Sequence, residues 1–432
     1  MSQASEKDFK VAIIGGGVCG LACAIALQKA GIVVDLFEAA AAFGEVGAGI
    51  GLGPNAVRAL EALGIFDAVL QKLAPGDHGS KGMLFYSGIG DHELVYDYQA
   101  APEDASISMH RAAFLDALVG LVDPRSTHFS KRCTSISELP TAPGRLLIRF
   151  ADGTSHETDV VLGADGLKSV VRDFVVAKDG APPGQSVAFS NTAVYRGLIP
   201  FAQLQAAGFN TKLTNRPACF VGPSKHVIVV PIKGGQLINV AAFTARYDIP
   251  IGSQNLPDGT PWVGPVSPDD IQRDFEGWGP DIVTLLRCMP ETTIRWSVYV
   301  VHPELESYSK GRVAILGDAA HAMLPHLGSG AGQGLEDVLL LVRLLTRPET
   351  QSGNLAAVLE AYSAVRRPRA QTVWDASHRA GSIFDHHGPH GATPQGLAED
   401  LKDLWGPVWR YDLDAEFDAA VAILRSREDS AV

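Results

Sequence analysis

The chain has 432 residues, 46% of them apolar and 19% charged, with a formal net charge of −12. That length exceeds one ordinary hydrophobic core, so two interleaved domains are expected, and the acidic balance argues against nucleic acid or an anionic membrane as partner. No window reaches the ~18 consecutive apolar residues of a membrane span, and the polar start Met1–Asp8 reads as neither a secretory nor a transit leader. The cysteines (Cys19, Cys23, Cys133, Cys219, Cys288) are odd in number and lack metal-ligand spacing, so no metal site is expected and a reducing cytoplasm is the simplest compartment.

The first element is the apolar run Val11–Ile14, which reads as a buried parallel strand and leads into Gly15-x-Gly17-x-x-Gly20 and a small-residue helix. Gly15 permits the tight turn, Gly17 lets a pyrophosphate approach the backbone and Gly20 lets the helix pack on the strand. Free N–H groups at the helix start, around Val18, then face the phosphates. A second strand, Val33–Phe37, ends at Glu38, placed to hold a ribose hydroxyl. This unit binds a dinucleotide; whether FAD or NAD is left open by this stretch alone.

The glycine-rich run 43–55, including Gly51, cannot be a stable helix or central strand and suits close approach to a flat ligand. A helix is expected from Asn55, and 75–105 reads as a short sheet with loops. Arg111 falls at the start of a helix over 112–119, where a cation is unfavourable unless an anion lies nearby. Val160–Leu162 reads as a buried strand ending in Gly163-Ala164-Asp165-Gly166. Over 185–300 short β-rich runs recur, as for an antiparallel sheet inserted into an α/β chain. Arg312–Leu316 is a further buried strand ending in Gly317-Asp318, followed by His321, Pro325 and the loop Gly328–Gly332. Helices are expected over 334–345, from Leu355 to about Arg379, and within 397–427. His386, His387 and His390 read as a solvated loop.

Three separated strand ends therefore carry cofactor-like chemistry: the first glycine turn with Glu38, the Asp165-Gly166 turn and the Gly317-Asp318 turn. Ligands of doubly wound sheets gather at the carboxyl ends of strands. An NAD dehydrogenase needs only the first turn; a longer ligand uses all three. In this order the motifs resemble the single-component FAD-dependent aromatic hydroxylases (class A flavoprotein monooxygenases, para-hydroxybenzoate hydroxylase fold), most nearly the salicylate hydroxylase group. The resemblance spans roughly residues 9–380. It implies an α/β fold: a Rossmann-like FAD-binding domain in two parts (1–184 and 302–380), an inserted antiparallel β-sheet substrate domain (185–301) and a C-terminal helical segment (381–432). It also implies that Gly15, Gly17, Val18, Gly20 and Glu38 hold the AMP half of FAD. Asp165 and Gly166, with Arg172, match the second motif, and Asp318 the residue at the ribityl–pyrophosphate region. Pro325, Gly330, Ala331 and Gly332 would lie against the isoalloxazine, with Arg111 and Gly51 as further flavin contacts.

The activity implied is reduction of the flavin by NADH or NADPH, reaction with O2 to a flavin C4a-hydroperoxide, and hydroxylation of a small phenolic substrate. Its sharpest form is oxidative decarboxylation of salicylate or a hydroxybenzoate to catechol or hydroquinone and CO2. The alternatives are ring hydroxylation or dearomatisation without CO2 loss, and a non-catalytic flavin-binding interaction protein. Such chemistry needs a cation to favour phenolate over phenol. Arg196, in Tyr195-Arg196-Gly197 within an apolar run, is the main candidate; the plainer alternative is a salt bridge inside the sheet. His226 and Tyr195 are further pocket candidates. Related enzymes carry His-x-x-x-Tyr-Pro where this chain has His226-Val227-Ile228-Val229-Val230-Pro231, so Val230 replaces a tyrosine. His321 is expected to be a structural histidine beside the flavin. The expected assembly is a monomer or homodimer.

Overall fold

Every strand end named above is brought to one edge of one sheet. In a computed structural model, which describes residues 7–44, 49–73, 78–177, 186–213, 216–257 and 259–430, Lys10–Ile14 lies at the centre of a six-stranded sheet. The order is Ser309–Lys310, Val313–Ile315, Val160–Gly163, Lys10–Ile14, Val33–Phe37, Thr127–His128, parallel except for the outermost Ser309–Lys310 pairing. These strands are short and apolar because a parallel sheet is covered on both faces. Their register aligns Phe37, Ile14, Gly163 and Ile315 in one row. Each of the three motifs starts just past that row.

The helix Val18–Lys29 packs on the sheet through its glycines. Gly15 has φ +105°, and a Cβ there would lie 2.3 Å from the Ala164 carbonyl oxygen. A Cβ on Gly20 would lie 1.9 Å from the Gly15 carbonyl oxygen, so neither position tolerates a side chain without backbone movement. Cys19 packs against Gly317 and Gly334, and burial pushes the Cys23 thiol up to about 12, as for inert packing residues.

The second sheet has eight strands in the order Val263–Pro265, Ile294–Val301, Val187–Pro200, Leu237–Ala245, Lys225–Ile232, Ala218–Gly222, Met83–Ser87, Leu94–Tyr98. The strands Met83–Ser87 and Leu94–Tyr98 were expected to form a separate short sheet; instead Met83–Ser87 pairs in parallel with Ala218–Gly222. A two-stranded ribbon cannot bury its own apolar face, and Leu84 and Phe85 are buried only by joining the larger sheet. One face of this sheet packs on the helices Phe201–Ala206, Pro268–Asp274 and Pro280–Arg287. The other faces the first domain.

Between the two sheets, Gly49–Leu52 forms an edge strand against Ser106–His110, as its glycines allow; residues 45–48 of the glycine-rich run lie outside the described residues. Several helices differ from expectation in length. Pro54–Ala62 begins one residue before Asn55, Gly330–Thr346 begins in the glycine loop itself, and Leu355–Phe384 runs 30 residues. The Gly330 start is favoured by tertiary contact: Gly332 fits against Asn55 and Ala56, and a Cβ on Gly334 would lie 2.3 Å from Cys19 Sγ. Pro394–Leu401, Gly406–Trp409 and Leu413–Ser430 complete the chain.

Candidate active site

A cavity of about 290 Å³ opens past the row of strand ends, lined by Gly15, Gly17, Glu38, Lys131, Asp165 and Gly166 among others. Gly17 has no atom within 4 Å of where a Cβ would sit, so its backbone faces open space. Glu38 accepts hydrogen bonds from the Gly16 and Ala40 N–H groups, both at 2.7 Å, which fixes its carboxylate at the mouth. Val18 and Gly20 are buried in the first turn of their helix, where they shape the turn without lining the cavity. Asp318 is exposed although Gly317 and Ala319 on either side are buried, so its side chain leaves the core just past the third strand end. These features fit an extended pyrophosphate cofactor such as FAD: an open glycine turn at a helix start, an acid at the second strand end, and a second acid projecting from the third.

Asp165 lines the cavity, but its carboxylate is turned to its own helix. It accepts from the Val170 and Val171 N–H groups at 2.8 and 3.2 Å and from the Ser169 hydroxyl, and burial raises its pKa. Arg172, fully buried, donates to the carbonyls of Leu167 (2.6 Å) and Ala319 (3.1 Å) and so ties the second motif to the third.

Behind the third motif lies a buried charge cluster. Arg366 donates to Asp337 (2.7 Å), Glu336 (2.8 Å) and Glu416 (2.9 Å), and Arg369 donates to Glu336 (3.1 Å). Asp337 also accepts from the Gly317 N–H at 2.8 Å and holds His321 at 2.6 Å; Asn55 donates to Glu336 at 2.7 Å. Burial alone would raise both acids, but Arg366, with Arg369 for Glu336 and His321 for Asp337, holds them below the usual carboxylate range. His321 is thus buried behind the third motif with its Nε2 on Asp337.

A second cavity of about 270 Å³ lies where the eight-stranded sheet faces Gly49–Gly53 and the loop Pro325–Gly328. Gly51, Pro325 and Arg196 all line it. Gly330, Ala331 and Gly332 form the first turn of the helix that follows that loop. Arg196 is half-buried, its Nε is buried without a partner, and among the described residues no carboxylate pairs with it, so the sheet salt bridge is absent there. Burial, then the nearby positive Arg111, lowers its pKa. Arg111 is close enough to act electrostatically on both Arg196 and Cys19, although it lines neither cavity.

Tyr195 is not a cavity residue. Neighbours along a strand point to opposite faces; with Val194 and Arg196 lining the cavity, Tyr195 enters the core on the other face and bonds Asp274. His226 is fully buried and does not line the cavity; His326 does. His226 Nδ1 meets Asp385 at 2.7 Å, which leaves its Nε2 to accept from His326 Nδ1 at 3.3 Å. Tyr247 donates to the other Asp385 oxygen at 2.8 Å and lines a groove on the outer side of the sheet. A hydrogen-bonded chain thus joins His326 to that groove, while the Cδ2–Nε2 edge of the His326 ring packs against Gly381 of the long helix. Burial, then His226 and His378, lowers the pKa of His326 well below its usual value.

His326, Asp385 and Asn239 were not singled out from the sequence. His326 follows Pro325 directly and could have been found; Asp385 ends the long helix beyond the expected stop at Arg379, and nothing local marks it. Trp405 and Trp409 also line the cavity, and Trp405 donates to the Leu327 carbonyl at 3.2 Å, so the C-terminal segment closes the site. Among the described residues no group of three or more His, Cys, Asp or Glu side chains could hold a metal, and no helix is long and apolar enough to cross a membrane.

Comparison with known proteins agrees with this geometry. The family described as an FAD binding domain matches residues 8–182 and 292–377. A salicylate hydroxylase of Pseudomonas putida is 39% identical over 97% of this chain and 96% of its own, and a 6-methylsalicylate 1-monooxygenase of Aspergillus terreus is 33% identical over 96% and 92%. A solved salicylate hydroxylase substrate complex superposes with a TM-score of 0.83 at 32% identity, over 96% of this chain and 98% of that one. With three motifs on one sheet edge and a cavity at their far end, the chain belongs to the FAD-binding class A monooxygenases as a salicylate hydroxylase-like aromatic monooxygenase that uses FAD with NAD(P)H and O2.

Proposed function

We propose that this enzyme hydroxylates a small phenolic acid, and that its preferred reaction is oxidative decarboxylation of salicylate or a hydroxybenzoate to catechol or hydroquinone and CO2. The observation that carries this is Arg196: a guanidinium without a carboxylate partner among the described residues, on the wall of an otherwise mostly apolar cavity. An anionic aromatic ligand supplies the missing charge, and the cation favours phenolate over phenol, whose ordinary pKa is about 10.

Gly15, Gly17, Val18, Gly20, Glu38, Asp165 and Asp318 would hold or shape the site for the adenosine and pyrophosphate parts of FAD. Gly51, Arg111, Pro325 and the turn Gly330, Ala331, Gly332 would hold the ring end. Bound there, the flavin supplies reduction by NAD(P)H and activation of O2. The protein's own residues do the rest. Arg196 orients the acid, and the His326–His226–Asp385 chain braces the loop that forms the facing wall of the cavity. Phe243, Leu327, Trp405 and Trp409 keep bulk water from the cavity. Residues 183–291 fall outside the matched family segments, which supports a substrate domain near 185–301.

Ring hydroxylation without CO2 loss is the second possibility. Val230, which lines the cavity, lacks the phenol-orienting hydroxyl that a tyrosine would offer there, so the substitution pattern of the ring is left open. Titration of the yellow protein with salicylate, 4-hydroxybenzoate and simple phenols, with NADH oxidation, O2 uptake and CO2 release followed together, decides between them. CO2 release in step with O2 uptake is expected; its absence with every benzoate would sink the decarboxylative reaction.

A further inference from the structure

The strand Leu237–Ala245 alternates strictly: Ile238, Val240 and Ala242 enter the outer core, while Asn239, Ala241 and Phe243 line the cavity. Asn239 is the one amide among the cavity-facing residues of this strand, and it is 8% exposed. Its Nδ2 is turned to Gly49, where an added Cβ would sit 3.0 Å away; its Oδ1 is buried and has no hydrogen-bond partner among the described residues. A buried amide oxygen without a donor is costly, and native structures leave few of them. Arg196 stands opposite Ala241 on the neighbouring strand, so Asn239 is its diagonal neighbour, roughly 7–8 Å away between Cα atoms. Two residues that line the cavity therefore carry unmet polar groups of opposite sense: the Arg196 guanidinium and, one diagonal along, the amide of Asn239. Between and around them lie Val194, Ile228, Val230 and Ala241, which offer no polar side chain.

We propose that Asn239 reads a hydrogen-bond donor on the substrate ring, so that the preferred substrate is an aromatic acid carrying a hydroxyl or amino group away from the anion held by Arg196. This rests on the phenolic-acid activity proposed above and narrows its substrate class. Where a site is built to meet a donor, an analogue lacking it leaves the acceptor unpaired and is rejected far more strongly than one that differs by a methylene.

The test is equilibrium binding to the FAD-loaded protein, followed by the change in flavin absorbance, for salicylates carrying hydroxyl, amino, methyl or methoxy groups at C4 and at C5. At one of these positions the hydroxyl and amino compounds are expected to bind about 10-fold or more tightly than the methyl compound. Methoxy, which accepts but does not donate, should behave like methyl or worse. Asn239→Leu should erase the preference, read as the ratio of Kd values between donor and methyl compounds. Equal Kd values for donor and methyl compounds at both positions in the unaltered protein would overturn the proposal, and that comparison does not depend on the variant folding. A preference retained in Asn239→Leu would overturn it too. Absence of NADH oxidation with every acid would instead overturn the hydroxylase activity, so the ratio of Kd values and the turnover separate the two failures.

Discussion

Arg366→Met removes one fully buried cation from contact with three carboxylates. Glu336, Asp337 and Glu416 lose bonds of 2.7–2.9 Å, and Arg369 still pairs with Glu336 alone. Breaking a buried ion pair by removing one partner costs about 3–5 kcal/mol, because an uncompensated charge stays behind. At ~2.1 cal/mol/K of unfolding entropy per residue, that lowers Tm by about 3–6 °C for a chain of 432 residues. The pH dependence should also change sign. In the native protein Glu336 and Asp337 titrate below their ordinary range, so their contribution is present above pH ~4 and lost as the pH falls through the lowered values. Without Arg366 the buried acids gain stability on protonation, and the Tm deficit should shrink as the pH falls from 7 to 4. Because Asp337 holds the Gly317 N–H beside Asp318, FAD affinity should fall as well. Thermal unfolding across pH and a flavin fluorescence titration measure both. A Tm within 1 °C of the native protein (about 1 kcal/mol at this chain length), with unchanged FAD affinity, would refute the assignment of this cluster as the support of the third motif.

Tyr195→Phe deletes a hydrogen bond to Asp274 on the outer face, so it should cost about 0.5–1.5 kcal/mol of stability and leave salicylate turnover unchanged, measured by denaturant unfolding and NADH oxidation. His326 is held neutral by burial and by His226 and His378; its depressed pKa means the folded state binds fewer protons than the unfolded one. Stability should therefore be complete above pH ~6.5 and decline as the pH falls below it, by up to ~1.4 kcal/mol per pH unit, and His326→Gln should flatten that slope.

The cofactor half of the molecule was legible because its signals are local. Val11–Ile14, Val160–Leu162 and Arg312–Leu316 are apolar runs ended by glycine and acid, and a parallel sheet aligns such ends without further information. The cavity was only partly legible. Arg196 stood out as a charge in an apolar strand, and the same period-2 logic that turns it inward excludes Tyr195. His226 could be found but not its place behind His326, since that depends on the Pro325 loop meeting a strand 100 residues earlier. Asp385 and Asn239 matter through tertiary contacts that no spacing encodes, and Trp405 reaches the site from a tail whose composition looks like any surface helix.

The most direct test is salicylate turnover by Arg196→Gln against the native enzyme from pH 7 to 10, with CO2 and O2 counted together. Loss of charge-assisted hydrogen bonds worth about 1.5–3 kcal/mol predicts a fall in kcat/KM of about 10- to 100-fold at pH 7. With 4-hydroxybenzoate in place of salicylate the gap should narrow toward pH 10, where its phenol ionises unaided; the ortho carboxylate of salicylate holds the phenol proton well above that range, so its gap should persist. Unchanged kcat/KM at pH 7, with CO2 still released in step with O2, would contradict the assignment of Arg196 as the cation on which the chemistry depends.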